Sequence, residues 1–258
     1  MIQITQLNKS FGKQHVLQGI DLKIDQPGRI TAVLGPNGSG KTTLIKCLLG
    51  MVLPNSGEMK IDGEAISNNW AYRSQIDYLP QIARFPENLR IKELIAMIKD
   101  IRGGQADDEQ LIARFDLDPY LNQQLRNLSG GTKQKVNLVL ALMYDSPILI
   151  LDEPTSGLDP VAMIRLKELL REEKQKGKII LMTSHIISFV EEMADDIVFL
   201  LDGNIYFQGS VDKAKEQYGE QELEKAIAQI LTGKKSVRMN SKKTNGSLVK
   251  KLARVIRI

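Results

Sequence analysis

One stretch restricts the fold of this chain more than any other. The β-branched run Ile30-Thr31-Ala32-Val33-Leu34 leads into Gly35-Pro36-Asn37-Gly38-Ser39-Gly40-Lys41-Thr42-Thr43, and the apolar pattern Leu44-Ile45-Lys46-Cys47-Leu48-Leu49 follows. A buried strand, a glycine-rich turn and a helix in immediate succession require a layered α/β arrangement. Glycines let the backbone wrap closely, so successive N–H groups at the start of the helix converge on one point. Such a cradle suits a phosphate. In this setting Lys41 is expected to reach the β- and γ-phosphates of a nucleotide, and the Thr42 hydroxyl to hold Mg²⁺.

The rest of the composition is that of an ordinary globular protein, 42% hydrophobic and 26% charged over 258 residues, enough for one or two domains with a large core. No apolar run approaches the length of a membrane span, and Met1-Ile2-Gln3-Ile4-Thr5 lacks the pattern of a secretion signal, so a cytosolic chain is expected. The single cysteine, Cys47, precludes an internal disulfide and falls among core positions. Residues 234–258 carry nine Lys or Arg and no acid, more than the whole net charge of +4, so residues 1–233 are net acidic at −5. The excess of base therefore gives no reason to expect nucleic acid as a partner.

Loose alternation from Met1 to Asp25 predicts two or three antiparallel strands. Glu58–Ile61 and Ile76–Leu79 are further strands, the second ended by Pro80. From about Ile91 to Leu125 the spacing turns helical, with Leu94, Ile95, Ile98 and Ile101 and then Leu111, Ile112 and Phe115 on apolar faces. We read residues 84–135 as a helical subdomain inserted into the α/β core. Then follow a helix over Thr132–Tyr144, a strand over Ile148–Leu151, a helix over Val161–Lys176 with Ile164, Leu166, Leu169 and Leu170 inward, and a strand over Ile179–Met182. Asp202-Gly203 predicts a hairpin, and Val211–Leu231 is helical. Strands alternating with helices imply a mostly parallel sheet whose functional groups gather at strand C-terminal ends.

Lys41, Gln81, Asp152 and His185 occupy such ends. Asp152, closing an apolar strand, suits a metal anchor, and Glu153 beside it suits a general base or water-positioner. A neutral His185 imidazole is suited to the γ-phosphate or the attacking water. Leu128-Ser129-Gly130-Gly131 also precedes a helix, so Ser129 and the glycine N–H groups form a second anion-facing helix start. One nucleotide does not need two cradles. Two chains facing head to tail supply one of each to every nucleotide.

Together these motifs resemble the ATP-binding subunits of ABC transporters over about residues 1–215. Gly35–Thr42 is similar to the Walker A motif, Gln81 to the Q-loop, Leu128–Gly131 to the ABC signature, Ile148–Glu153 to Walker B with its catalytic glutamate, Ser156-Gly157-Leu158-Asp159 to the D-loop, and His185 to the H-loop. Thr132 stands where a glutamine usually ends the signature, and Phe11 where a tyrosine is commoner; a phenylalanine keeps the π-face that stacks on adenine.

The resemblance implies a P-loop NTPase fold with an N-terminal antiparallel β-subdomain, spanning 1–233 as one nucleotide-binding domain. It implies ATP and Mg²⁺ as cofactors. Phe11, Asn37, Gly38, Ser39, Gly40, Lys41, Thr42, Thr43, Gln81, Ser129, Gly130, Gly131 and Asp159 would contact nucleotide, Thr42, Gln81 and Asp152 would hold the metal, and Glu153, His185 and Lys41 would act in hydrolysis. Implied partners are a second copy of the chain, an integral membrane permease at the cytoplasmic face of the membrane, and a periplasmic accessory protein. The Ser156–Pro160 form of the D-loop and the absence of a regulatory domain after residue 233 look like exporters of the ABC-2 type. The run Gly130–Val136 is similar to ATPases that help assemble the copper sites of nitrous oxide reductase.

Two rival expectations are a catalytically silent ATP-binding regulatory subunit and a soluble ABC-type ATPase outside transport. The first normally lacks a counterpart of Glu153 or His185. DNA-maintenance ATPases insert a long coiled coil where only 86 residues separate Lys41 from Leu128 here, and ribosome-associated factors carry two Walker A motifs. Residues 247–258 put Leu248, Leu252, Val255 and Ile256 on one helical face among basic residues, a pattern open to membrane or permease docking and to a solvated terminus alike.

Overall fold

The computed structural model describes residues 1–67 and 69–232. In chain order its elements are β1 (Ile2–Phe11), β2 (Gln14–Ile24), β3 (Arg29–Leu34), α1 (Lys41–Leu48), β4 (Ser56–Ile61), β5 (Glu64–Ala65), β6 (Ile76–Leu79), α2 (Ile91–Arg102), α3 (Asp108–Arg114), α4 (Gly130–Leu142), β7 (Ile148–Asp152), α5 (Pro160–Gln175), β8 (Ile179–Ser184), α6 (Ile187–Met193), β9 (Asp196–Leu201), β10 (Asn204–Ser210), α7 (Val211–Tyr218) and α8 (Leu223–Thr232). The basic segment 234–258 lies outside the described residues. Among the described residues no helix is long and apolar enough to cross a membrane. The described residues form two compact units, residues 1–25, 29–67 and 184–232 in the first, and residues 26–28 and 69–183 in the second.

In the first unit, four antiparallel strands run in the order β2-β1-β4-β5. Ile2 faces Ile24 and Ile4 faces Leu22 across the β1–β2 ladder, and all four are buried. The loose alternation of the sequence is thus a one-faced sheet. β3 pairs in parallel with β9, and β9 turns through Asp202-Gly203 into antiparallel β10. Both turn residues have positive φ, +45° and +76°, the backbone a tight hairpin asks for. Arg29 grips Asp196 with two hydrogen bonds, of 2.7 and 3.0 Å, fastening the first residues of β3 and β9 together. Leu223, Ala226, Ile227 and Ile230 of α8 are buried, and α8 packs on α6 and α7.

In the second unit β6, β7 and β8 are parallel, with Leu79 opposite Leu151 and Asp152 opposite Thr183. Every residue of β7 and β8 is buried, as continuous apolar runs in a parallel sheet should be. β6 carries one charge inside, the fully buried Asp77. Arg102 at the end of α2 meets it at 2.7 Å, and the Ser146 hydroxyl and amide donate to it at 2.9 and 3.2 Å. The Arg102 guanidinium also lies over the Tyr144 ring, 4.1 Å from its centroid. Burial pushes the Asp77 carboxyl up, against the pull of Arg102 and Ser146.

Several expectations need correction. Ile164 is 56% exposed, and α5 instead buries Ala162, Leu166, Leu169, Leu170 and Glu173. Positions 164 and 166 lie about 200° apart on a helix, so one face cannot hold both. Ile101 is likewise exposed, nearly two turns past the part of α2 that buries Leu94 and Ile95. α4 begins at Gly130, two residues before the expected start, because the Ser129 hydroxyl caps it. β5 and α6 were not expected at all.

Candidate functional site

The loop after β3 holds its shape through close backbone approaches. A methyl group added at Gly35 would stand 2.1 Å from the Leu200 carbonyl oxygen and 2.6 Å from Ser39 Oγ, so only glycine fits there. The Ser39 amide donates to the Pro36 carbonyl at 3.1 Å, and the Gly203 amide donates to the Ser39 carbonyl at 3.2 Å. Lys41 is 7% exposed and curls back over the loop, its Nζ 2.7 Å from the Gly35 carbonyl and 3.3 Å from that of Pro36. Gly40, the N-cap of α1, has no side chain with which to occupy the first amides of the helix. Asn37 and Gly38 are exposed, Thr42 and Thr43 half-buried, Ser39 buried. A concave ring of amides with a lysine folded over it can receive phosphate oxygens.

Phe11 and His185 belong to the same unit as this loop. Phe11 ends β1 with its ring 51% exposed, and Lys9 Nζ lies 4.8 Å from the ring centroid. A cation on one face leaves the other to an electron-rich base. His185 follows directly on β8 and is exposed; next to it the Ile186 amide donates to Ser184 Oγ at 3.0 Å.

The second unit carries Gln81, Asp152 and Glu153. Asp152, the last residue of β7, is 1% exposed, and the Thr183 hydroxyl donates to its Oδ1 at 2.6 Å. Glu153, 4% exposed, has φ +53°, left-handed backbone that a residue with a side chain rarely adopts. Its amide donates to Thr183 Oγ1 at 3.0 Å, and its carbonyl accepts from the Ser156 amide at 3.1 Å. Burial and the Asp152 charge push the nearby Tyr78 hydroxyl up to about 12, so it stays protonated at neutral pH. Gln81 is exposed, just past the end of β6. Asp152 and Gln81 offer a carboxylate and an amide oxygen, and Thr42 in the first unit a hydroxyl, each a hard donor of the kind that Mg²⁺ takes.

Ser129, exposed, caps α4, accepting from the Thr132 amide at 3.2 Å with the Thr132 hydroxyl 2.9 Å away. Gly130 is open to solvent. A methyl group at Gly131 would stand 3.0 Å from the Gly157 carbonyl oxygen, so the loop after β7 runs tight against the helix start. Two further bonds fasten α4, from Gln134 Nε2 to the Pro154 carbonyl at 3.4 Å and from Asn137 Nδ2 to the Pro80 carbonyl at 3.1 Å. Asp159 caps α5 through the Ala162 amide at 2.8 Å and pairs with Lys135 of α4. These contacts group Ser129, Gly130, Gly131 and Asp159 about the beginning of α4.

Sequence reasoning overlooked Thr183, Gln134, Lys135 and Asn137. Thr183 left a trace, the first polar residue after four apolar ones in a buried strand.

Residues 17–156 match the model of the ABC transporter family, ABC_tran. The lantibiotic transport ATP-binding protein SrtF of Streptococcus pyogenes is 31% identical over 227 residues, which is 87% of this chain and 94% of that protein. The L-cystine import ATP-binding protein TcyC of Bacillus subtilis is 29% identical over 246 residues, 90% of this chain and 99% of the other. Among solved structures, an ATP-binding subunit of an ABC transporter superposes with a TM-score of 0.82 at 30% identity, covering 89% of this chain and 99% of that one. With the glycine cradle, the buried Asp152–Glu153 pair and the capped glycines of α4 all on one chain, the match has a physical basis: this protein belongs to the ABC transporter family, as one of its ATP-binding, ATP-hydrolysing subunits.

Proposed function

We propose that residues 1–233 form a single nucleotide-binding domain, that two copies close head to tail around two ATP, and that a separate permease takes up the motion at the cytoplasmic face of the membrane. The carrying observation is the contrast between the two helix starts. That of α1 is wrapped by its own loop and Lys41, whereas Ser129 and Gly130 at the start of α4 face solvent. An open cradle with no lysine folded over it suits a phosphate brought by a second chain.

In this reading Phe11 stacks on adenine, the amides from Asn37 to Thr43 wrap the phosphates, and Lys41 neutralises the β- and γ-oxygens. Thr42, Asp152 and Gln81 would hold Mg²⁺, which would supply further neutralisation of the phosphate charge. Glu153 accepts a proton from the attacking water, and His185 hydrogen-bonds the γ-phosphate. The facing copy contributes Ser129, Gly130, Gly131 and Asp159. Water adds to the γ-phosphorus, the bond to the β-phosphate oxygen breaks, and ADP and phosphate leave.

The finer reading is an exporter of the ABC-2 type, supported by the Ser156–Pro160 loop. Within it, the Gly130–Val136 run supports a role with a periplasmic partner in assembling the copper and sulfur site of nitrous oxide reductase. Relatives named for lantibiotic transport and for L-cystine import share similar identity, so vesicles carrying the chain with its permease are the test of direction. For the motor itself, ATPase assays and gel filtration of wild type and E153Q decide. Wild type is expected to turn over ATP, and E153Q to dimerise with ATP without hydrolysing it. A wild type silent even with its permease, or an E153Q chain that stays monomeric with ATP, defeats this reading.

A further inference from the structure

We propose that Thr183 is a positioning residue for ATP hydrolysis, one hydroxyl holding both the carboxylate of Asp152 and the backbone of Glu153; this rests on the roles proposed above for those two residues. Thr183 is fully buried and stands opposite Asp152 in the parallel ladder of β7 and β8. Its single hydroxyl proton goes to Asp152 Oδ1 at 2.6 Å. A lone pair on the same oxygen is then left for the Glu153 amide, which reaches it at 3.0 Å.

The second bond matters because of the conformation it secures. Glu153 leaves the strand direction of β7 in left-handed backbone, at φ +53°. Its peptide groups are gripped on both sides, the N–H by Thr183 and the carbonyl by the Ser156 amide at 3.1 Å. Left-handed backbone at a residue with a side chain persists where its surroundings over-determine it. Without the hydroxyl, the amide loses its acceptor and Asp152 Oδ1 loses a donor together. The metal-side carboxylate and the general base would then both drift.

The full-length chain tests this as T183V, T183S and E153Q beside wild type. Valine matches threonine in shape and in strand preference, so T183V is expected to fold, with a melting temperature lowered by several degrees because a buried amide and carboxylate each lose a partner. Its kcat should fall about 10–100-fold, its half-saturating Mg²⁺ concentration should rise, and its affinity for fluorescent ATP should stay within about threefold. T183S keeps the hydroxyl and should hydrolyse within about threefold of wild type. T183V turning over within about threefold of wild type, or T183S falling as far as T183V, overturns the proposal. An E153Q chain as active as wild type overturns the role of Glu153 itself, and this inference with it.

Discussion

Lys135 Nζ lies 2.7 Å from Asp159 Oδ2, so the residue that caps α5 is also an ion-pair partner of α4. The Lys135 hydrogen bond, with the Ala162 amide second, holds the Asp159 carboxyl below the usual carboxylate range. A depressed folded-state value means that the contribution to stability is present above the unfolded pKa, near 4, and is lost as pH falls through the lower folded value. The pair is half-exposed, so K135M should cost at most about 0.5–1 kcal/mol at pH 7. Urea unfolding of wild type and K135M at pH 7 and in mild acid should show that gap closing as the pH drops below 4. D159A also removes the cap and should cost about 1 kcal/mol more.

The phosphate loop should tell its glycines apart. G35A drives a methyl into the Leu200 carbonyl at 2.1 Å and should abolish ATP binding and lower the melting temperature sharply. G38A meets nothing within 4 Å and carries only the penalty of φ +81°, about 1–2 kcal/mol. Thermal melts with nucleotide titrations separate the two outcomes.

Asp77 is fully buried and depends on Arg102 for its countercharge. R102M leaves the carboxylate inside with Ser146 alone and should destabilise the chain by about 3 kcal/mol at neutral pH. Burial already raises the Asp77 pKa, and loss of Arg102 raises it further. A raised folded value makes this carboxyl cost stability as pH climbs through the unfolded pKa, so the R102M deficit should shrink on acidification. D77N combined with R102M should recover part of the loss, measured by denaturant midpoint.

The Cys47 side chain is fully buried, and burial pushes its thiol up to about 11. Native protein at pH 8 should therefore react with a thiol reagent at least about 100-fold more slowly than urea-unfolded protein. Rapid native labelling would mean that α1 opens far more readily than its packing implies.

What the bare sequence disclosed follows a physical division. Runs such as Ile148–Asp152 and Ile179–Met182 announce themselves because strands covered on both faces leave no room for polar residues. The cradle is equally plain, since its chemistry is carried by consecutive residues. α6 escaped because a seven-residue helix without a capping side chain leaves almost no periodic record. Ile164 was misassigned because apolar residues two apart look alike until the partner surface is known. The supporting contacts of Thr183, Asn137 and Lys135 join residues from 24 to 57 positions apart, and no local pattern encodes them.

The fastenings of α4 fall at residues 131, 134 and 137. Three residues is slightly less than a turn, so the attachment points trace a shallow spiral along one side of the helix. Lys135 adds an ion pair to Asp159 along the same stretch, and α4 packs on β6, α2 and α3 as well. The solvent-facing Ser129 and Gly130 thus stand on a helix start tied to the carbonyls that follow β6 and β7, so a displacement of Pro80 or Pro154 would have a direct route to them.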